Sequence, residues 1–160
     1  MSLQLELCLA ATISQRSLSL SCDASVAMPR FALLEHTAAP ADPLGRHFDL
    51  LLEAGEACRT WRLMDVPQAG GPCVAAMEIV PHRLAWLDHV EGEISGGRGF
   101  ARRIAAGTFE LLSSDAVGLA AATECVVRIE SEMLAGRLRL ETIGTGWAVS
   151  LRPDVMLGQA

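Results

Sequence analysis

The sequence predicts an all-β protein, mainly antiparallel, that folds as a small closed or partly open β-barrel with a short helix or two. Two observations carry this prediction. Short apolar segments recur along the chain and end at glycine, proline or aspartate, which is typical of strands joined by turns. In addition, charged and apolar residues alternate over residues 137–142, which is the period of a strand with one face in water.

The predicted strands follow one another at close spacing. Pro81 is expected to end the fourth strand, and the glycines between Trp86 and Phe100 to form a flexible connection. Residues 144–146, Gly-Thr-Gly, predict a tight hairpin. A helix remains an alternative only for short pieces such as residues 113–122. In chain order the strands are residues 31–35, 48–53, 58–63, 74–80, 108–112, 125–129, 138–143 and 147–151.

The length and composition indicate one domain. The chain has 160 residues, of which 51% are apolar, enough for one core but not for two ordinary domains. We expect the barrel to occupy residues 28–152 and residues 153–160 to form a C-terminal tail. Residues 1–27 lack the basic segment of a secretory signal, so we expect a non-conforming tail and a natural start at Met28.

Charge and cysteine content restrict the function classes. The formal net charge of −6 excludes general electrostatic attraction to nucleic acid, although a local arginine cluster can still hold one phosphate. The five cysteines include no C-x-x-C pair, which argues against a disulfide framework and a thiolate zinc site. No segment has the roughly 20 apolar residues of a membrane-spanning helix. We therefore expect a reduced, cytoplasmic protein without a membrane partner.

A candidate divalent-metal site begins with His47 and Asp49. Two residues apart on a strand, they lie on one face, with Phe48 on the other. Imidazole and carboxylate together suit Mn²⁺, Zn²⁺ or Fe²⁺. His36 is the natural third ligand, because the loop that follows it returns directly to His47. The alternative is a pair of ordinary surface or hydrogen-bonding residues, since such H-x-D pairs are common.

A second candidate group follows the fourth strand. His82 and Trp86 are four residues apart, which places them on the same face of a strand or helix. His82 is a candidate general acid or base, or a phosphate ligand. The alternative is a partly buried histidine bonded to a backbone carbonyl. His89 is expected at the surface, and Trp61 and Trp147 in the core.

These pieces occur in one order along the chain. An apolar strand ends in a histidine, an H-F-D-L-L-L-E strand follows a loop, and a tryptophan-bearing strand comes next. The series then continues with P-H-R-L-x-W, E-G-x-I-x-x-G-x-G and G-T-F. It resembles the 3′-phosphoesterase domain of bacterial and archaeal DNA ligase D, and its stand-alone bacterial relatives, over residues 29–151. The matching segments are residues 31–36, 47–53, 61, 81–86, 91–99 and 107–109.

The resemblance implies a small antiparallel β-barrel with a manganese-dependent site in its cavity. It implies removal of a 3′-terminal ribonucleotide and then of the remaining 3′-phosphate, with DNA or RNA 3′ ends as substrate and repair ligases or polymerases as partners. Its metal ligands would be His36, His47 and Asp49. His82 would contact the scissile phosphate, and Trp86 stands where the family has a tyrosine.

The chain also departs from the family. Leu51 replaces an arginine, Asp65 lies near a basic position, and the loop before His47 is about five residues longer. Arg46 and Arg83 are the candidate phosphate-binding replacements, with Arg98, Arg102 and Arg103 as further options. The departures favour a second hypothesis, a catalytically impaired binding or scaffold module that keeps the barrel and the metal. A cupin-like barrel is a weaker alternative, because the H-x-H pattern is absent.

Overall fold

A computed structural model describes residues 27–40 and 42–154 of the chain. These residues form nine strands and one 3₁₀ turn, with no α-helix among them. The strands are β1 (Arg30–Thr37), β2 (Arg46–Ala54), β3 (Ala57–Leu63), β4 (Val74–Arg83), β5 (Glu91–Glu93), β6 (Phe100–Ser114), β7 (Glu124–Glu130), β8 (Gly136–Ile143) and β9 (Gly146–Arg152), and the 3₁₀ turn is Leu84–Asp88.

Eight of the strands close into an antiparallel barrel. The hydrogen-bonded order is β1-β2-β3-β4-β9-β8-β7-β6, and β6 pairs with β1 to complete the ring. The short strand β5 lies outside the ring and pairs with β6. The predicted all-β barrel is therefore confirmed, in its closed form. Closure gives the eight barrel strands backbone partners on both sides, which removes exposed sheet edges.

Alternate residues of each strand fill the barrel. On β1 and β2 the inward set includes Phe31, Leu33, Phe48 and Leu50, which belong to the large apolar cluster of the interior. Trp61 and Trp147 join this cluster with ring centroids 5.4 Å apart, as predicted. Outward residues of the same strands, Ala32, Leu34 and Leu51, form a second, smaller cluster with Cys58 of β3 and Leu87 of the 3₁₀ turn.

One arginine lies buried at an end of the barrel interior. The guanidinium carbon of Arg59 lies 4.7 Å from the ring centroid of Trp61 and 4.9 Å from that of Trp147. Its Nη1 donates to the backbone carbonyls of Leu119 and Ala122, both at 2.7 Å. Its Nε and Nη2 donate to the carboxylate of Glu78 at 2.6 and 2.9 Å. Four of its five N–H donors are therefore satisfied by protein acceptors, which compensates for the burial of the charge.

Two strands differ from their predicted extents. Pro81 does not end β4, which continues to Arg83 through a register shift opposite β3. A bulge accommodates the missing proline N–H, because it leaves one residue outside the ladder. The strand predicted at residues 108–112 begins at Phe100, so the flexible connection is shorter than expected. Residues 113–122 contain the end of β6 and turns, and no helix.

The predictions for the two chain ends and for the cysteines can be compared with the described residues. The predicted tail of residues 1–27 lies outside the described residues except for Ala27, and so do residues 155–160. Asp154, predicted to be in the C-terminal tail, accepts hydrogen bonds from Arg128 and Arg137 of the barrel. Within the described chain three cysteines are free thiols, and no helix is long and apolar enough to span a bilayer. These cysteines are Cys58, Cys73 and Cys125.

Candidate metal centre

The pairing of β1 with β2 brings the two predicted histidine ligands together. His36 lies directly opposite His47 in the register, so both side chains project from the same face of the sheet. Their rings stack with centroids 4.9 Å apart and planes 8° from parallel. This face is the outer one, because the neighbouring residues Leu34 and Leu51 belong to the outward cluster. The site therefore does not lie in the barrel cavity, which apolar side chains fill.

Asp49 completes the group of three. Its Oδ2 lies 3.4 Å from Nε2 of His36, and its Oδ1 lies 3.7 Å from Nε2 of His47. Donor atoms of the three residues all fall within 4.8 Å of one another, and all three residues are buried. Metal–ligand bonds of about 2 Å allow one ion to contact atoms at this separation. The predicted group can therefore hold a metal ion.

The hydrogen bonding of the histidines tests whether the residues fit a metal. Nε2 of His36 and Nε2 of His47 are buried side-chain atoms without a hydrogen-bond partner in the described structure. Buried polar atoms normally have a hydrogen-bond partner, and a bound ion is one explanation for a buried polar atom that lacks one. Two imidazole nitrogens that converge on a carboxylate are a donor set suited to a divalent transition metal. The residues thus fit the ion that they were predicted to bind.

Asp42 orients the ring of His47 through a hydrogen bond. Its Oδ2 accepts a hydrogen bond from Nδ1 of His47 at 2.7 Å. A carboxylate can only accept, so Nδ1 carries the hydrogen and Nε2 keeps its lone pair for a metal. Asp42 lies in the loop that is longer than in the family, and sequence reasoning missed it. A carboxylate in a loop next to a candidate histidine was the only available signal.

Arg62 is the second residue that the sequence did not reveal. It lies opposite Asp49 in the pairing of β2 with β3. Its Nε donates to Oδ1 of Asp49 at 3.1 Å, and its Nη2 approaches Oδ2 at 3.4 Å. The guanidinium therefore balances the carboxylate charge, and its side chain remains 34% exposed toward the open side of the site. The register between the two strands had to be known to find it.

Burial keeps His36 neutral. Loss of solvation lowers the pKa of His36 from 6.5 to about 4, and the attraction of Asp49 offsets this effect only in part. Electrostatic interactions with His47, Arg62 and His82 lower the pKa of His36 further. A neutral imidazole at physiological pH is the form that coordinates a metal.

The lowered pKa predicts acid destabilisation of the metal-free protein. As the pH falls below 6.5, His36 becomes protonated in the unfolded chain, whereas in the folded chain it becomes protonated only near pH 4. The free energy of unfolding therefore decreases between these two pH values. From about pH 7 to about pH 5 we expect a loss on the order of 2 kcal/mol from this residue. Urea unfolding in the presence of EDTA measures it. The His36→Gln variant should lose less over the same interval, and equal losses in both proteins would contradict the assignment.

A cleft of about 600 Å³ opens above the three metal-ligating residues. His82 and Trp86 both line it, and their ring centroids lie 5.7 Å apart. The bulge in β4 determines the face on which His82 lies. Strict alternation from the inward Ala76 would turn the side chain of residue 82 inward. The extra residue of the bulge instead places His82 on the outer face, opposite Cys58. Trp86 also lies 6.4 Å from the ring of His36.

His89, expected at the surface, is instead half-buried against the ring of Trp86, with centroids 5.0 Å apart. Its Nε2 lies 3.2 Å from the carbonyl oxygen of Ala101. It does not line the cleft. His89 thus keeps part of its surface in solvent and stays outside the cleft, while its ring packs against Trp86.

The two arginines predicted to bind phosphate lie elsewhere. Arg46 pairs with Glu35 at 2.8 Å and covers the ring of Phe48 on the opposite face of β2. Arg83 is exposed at the start of the 3₁₀ turn. Neither lines the cleft, whereas Arg62 and Arg98 do. Of the seven predicted site residues the structure therefore brings five together.

The positions that depart from the family have structural roles here. Leu51 is fully buried in the outward apolar cluster beneath the 3₁₀ turn. Asp65 accepts a hydrogen bond from the backbone N–H of Val66 at 2.8 Å and is otherwise exposed. Neither residue lines the cleft.

Neither a protein-family model nor a curated protein matches this sequence. The resemblance to the ligase-associated domain therefore rests on the motifs alone. What the geometry adds is a buried donor set for one divalent ion, with a histidine and two arginines at the cleft above it.

Proposed function

We propose that this protein is a divalent-metal-dependent phosphoesterase that removes 3′-phosphates and 3′-ribonucleotides from nucleic-acid ends. The observation that carries the proposal is the pair of unpartnered Nε2 atoms of His36 and His47 beside Asp49, which lie in a cleft with further groups able to bind phosphate. We propose manganese as the ion, a cytoplasmic location, and repair ligases or polymerases as partners, all from the sequence resemblance.

The roles of the ligand residues follow from their contacts. A bound divalent ion would supply charge to polarise a phosphate oxygen and to acidify a water molecule. His36 and His47 would hold it through Nε2, and Asp42 would keep the His47 ring in the correct tautomer. Asp49 carries the only negative charge among the three ligands, and Arg62 orients it through two contacts.

Arg62 and His82 are suited to the substrate. Nε and Nη2 of Arg62 contact Asp49, so Nη1 is available for a phosphate oxygen. His82 Nδ1 lies 3.2 Å from the carbonyl oxygen of Val80, and the carbonyl can only accept, so Nδ1 carries the hydrogen. Nε2 then has no protein partner, and in the protonated ring its N–H can donate to a phosphate oxygen or give a proton to the leaving oxygen.

A direct assay tests this function. The purified protein with Mn²⁺ should release inorganic phosphate from a 3′-phosphorylated primer, and EDTA should stop the reaction. The His82→Ala variant should lose about 10²–10⁴-fold in kcat, the range for a positioned proton-transfer group. His89→Ala is the matched control, since that histidine also contacts Trp86 but lies outside the cleft. It should stay close to wild type.

The alternative function is a binding or scaffold module that keeps the barrel and the metal. Leu51 and Asp65 favour it, because they stand where the resembled family has basic residues. Metal binding without turnover on any 3′-phosphate, in a protein that remains folded, would select this alternative. Rates in wild type and His82→Ala that are equal and no higher than in a protein-free control would do the same.

A further inference from the structure

One wall of the cleft is apolar and open to solvent. Met77 of β4 lies opposite Arg62, and Met64, which follows β3, donates its backbone N–H to Ala75, so the two methionines are diagonal neighbours on the outer face and both line the cleft. They are 47% and 54% exposed. Leu44, on the loop across the cleft, is 69% exposed. Three large apolar side chains around a metal site are costly to leave in water, which indicates a ligand with an apolar face.

The charges of the cleft are few. Its arginines are Arg62, engaged with Asp49, and Arg98, whose Nε donates to the carbonyl oxygen of Ser95 at 2.8 Å. Two carboxylates, Asp42 and Asp49, balance them. A protein that follows a nucleic-acid backbone needs a series of cations along it. This cleft has enough positive charge for one phosphate, and the net charge of −6 repels a longer polyanion.

The cleft volume of about 600 Å³ lies within the range of sites for single small ligands, roughly 300–1,000 Å³. A nucleobase offers flat apolar faces, and a methionine thioether packs favourably against aromatic rings. An apolar wall beside a site for one phosphate therefore matches one nucleoside phosphate.

We infer that the site recognises a single nucleoside 3′-phosphate, with its base against Met64 and Met77, and makes no energetically important contact with the rest of a nucleic-acid strand. This inference rests on the proposed function and names its substrate class. A free nucleoside 3′-monophosphate should then serve as well as the end of a polymer.

Comparing substrates of different length tests the inference. Adenosine 3′-phosphate and a 3′-phosphorylated oligonucleotide of about ten nucleotides should have kcat/KM values within about threefold, and raising salt from about 50 to 200 mM should change neither by more than that. A preference for the oligonucleotide of more than about 30-fold, or a steep salt dependence, would overturn the inference.

A second comparison tests the methionine wall. Ribose 3-phosphate, which lacks the base, should bind at least about tenfold more weakly than adenosine 3′-phosphate, and the double variant Met64→Ala, Met77→Ala should remove that difference. The control is Met133→Ala, another exposed methionine outside the cleft. Equal binding of the two ligands by wild-type protein would overturn the inference.

Calorimetric titration of the His82→Ala variant with Mn²⁺ present measures this binding with turnover slowed, while phosphate release by the wild-type protein measures hydrolysis. If no substrate is hydrolysed but adenosine 3′-phosphate binds and ribose 3-phosphate binds weakly, the proposed catalysis fails and the ligand class stands. If all substrates are hydrolysed at equal rates and bind equally, the catalysis stands and the ligand class fails.

Discussion

Replacing Asp49 with asparagine is expected to remove tight Mn²⁺ binding. The change takes away the only anionic ligand of the three and leaves the Arg62 guanidinium next to the ion's position. The loss of affinity should therefore exceed the roughly 10–100-fold cost of deleting an outer-shell partner. Isothermal titration with Mn²⁺, on protein first treated with EDTA, measures the change.

Two further variants make this result specific. Asp42→Ala removes the acceptor of the His47 Nδ1 hydrogen bond but no ligand, so it should lose affinity by about 10–100-fold. Asp65→Asn removes an equal charge from an exposed turn and should bind as wild type does. If Asp49→Asn and Asp65→Asn retain the same affinity, the three residues do not form a metal site.

Replacing Arg59 with alanine is expected to cause the largest loss of stability. The variant loses a side chain that is 8% exposed, leaves the carbonyls of Leu119 and Ala122 without their donor, and strips Glu78 of its partner. Glu78 is 37% exposed and can be solvated, but each buried carbonyl left without its donor costs about 1–3 kcal/mol, so we expect a total loss of about 2–5 kcal/mol. Urea unfolding monitored by tryptophan fluorescence should show this loss, because Trp61 and Trp147 pack on the guanidinium.

Arg139→Ala is the matched control for Arg59→Ala, at an exposed arginine. That arginine pairs with Glu124 and Glu141 at 2.9 Å each, but its side chain is 47% exposed. Its removal should cost under about 1 kcal/mol. A comparable loss in both variants would mean that Arg59 contributes as an ordinary surface charge, contrary to its environment.

The metal ligands could be predicted because they follow from local rules. The two-residue spacing of His47 and Asp49 puts both on one face of any strand, and a loop that returns to a neighbouring strand brings His36 beside them. Arg62 and Asp42 follow no local rule. The first depends on the register between two strands, and the second on the conformation of a loop.

The same alternation rule explains one failed placement. Arg46 is adjacent to His47 on β2, so its side chain has to emerge on the opposite face, where it meets Glu35. Applied to Arg46, the alternation rule excludes this residue from the face that carries His47 and Asp49. The position of His82, in contrast, depends on a bulge beside Pro81, and nothing in the spacing of residues 74–86 signals that extra residue.

Because the cleft lies on the outside of the barrel, evolutionary selection on the candidate site and selection on the barrel core act on different residues. On β1 and β2 the inward apolar side chains fill the barrel, whereas His36, His47 and Asp49 lie on the outer face, so none of the three belongs to the barrel core. Substitutions at these three positions can then alter the candidate site while the barrel core stays intact. Divergence in such proteins should be read separately on each set of alternate residues.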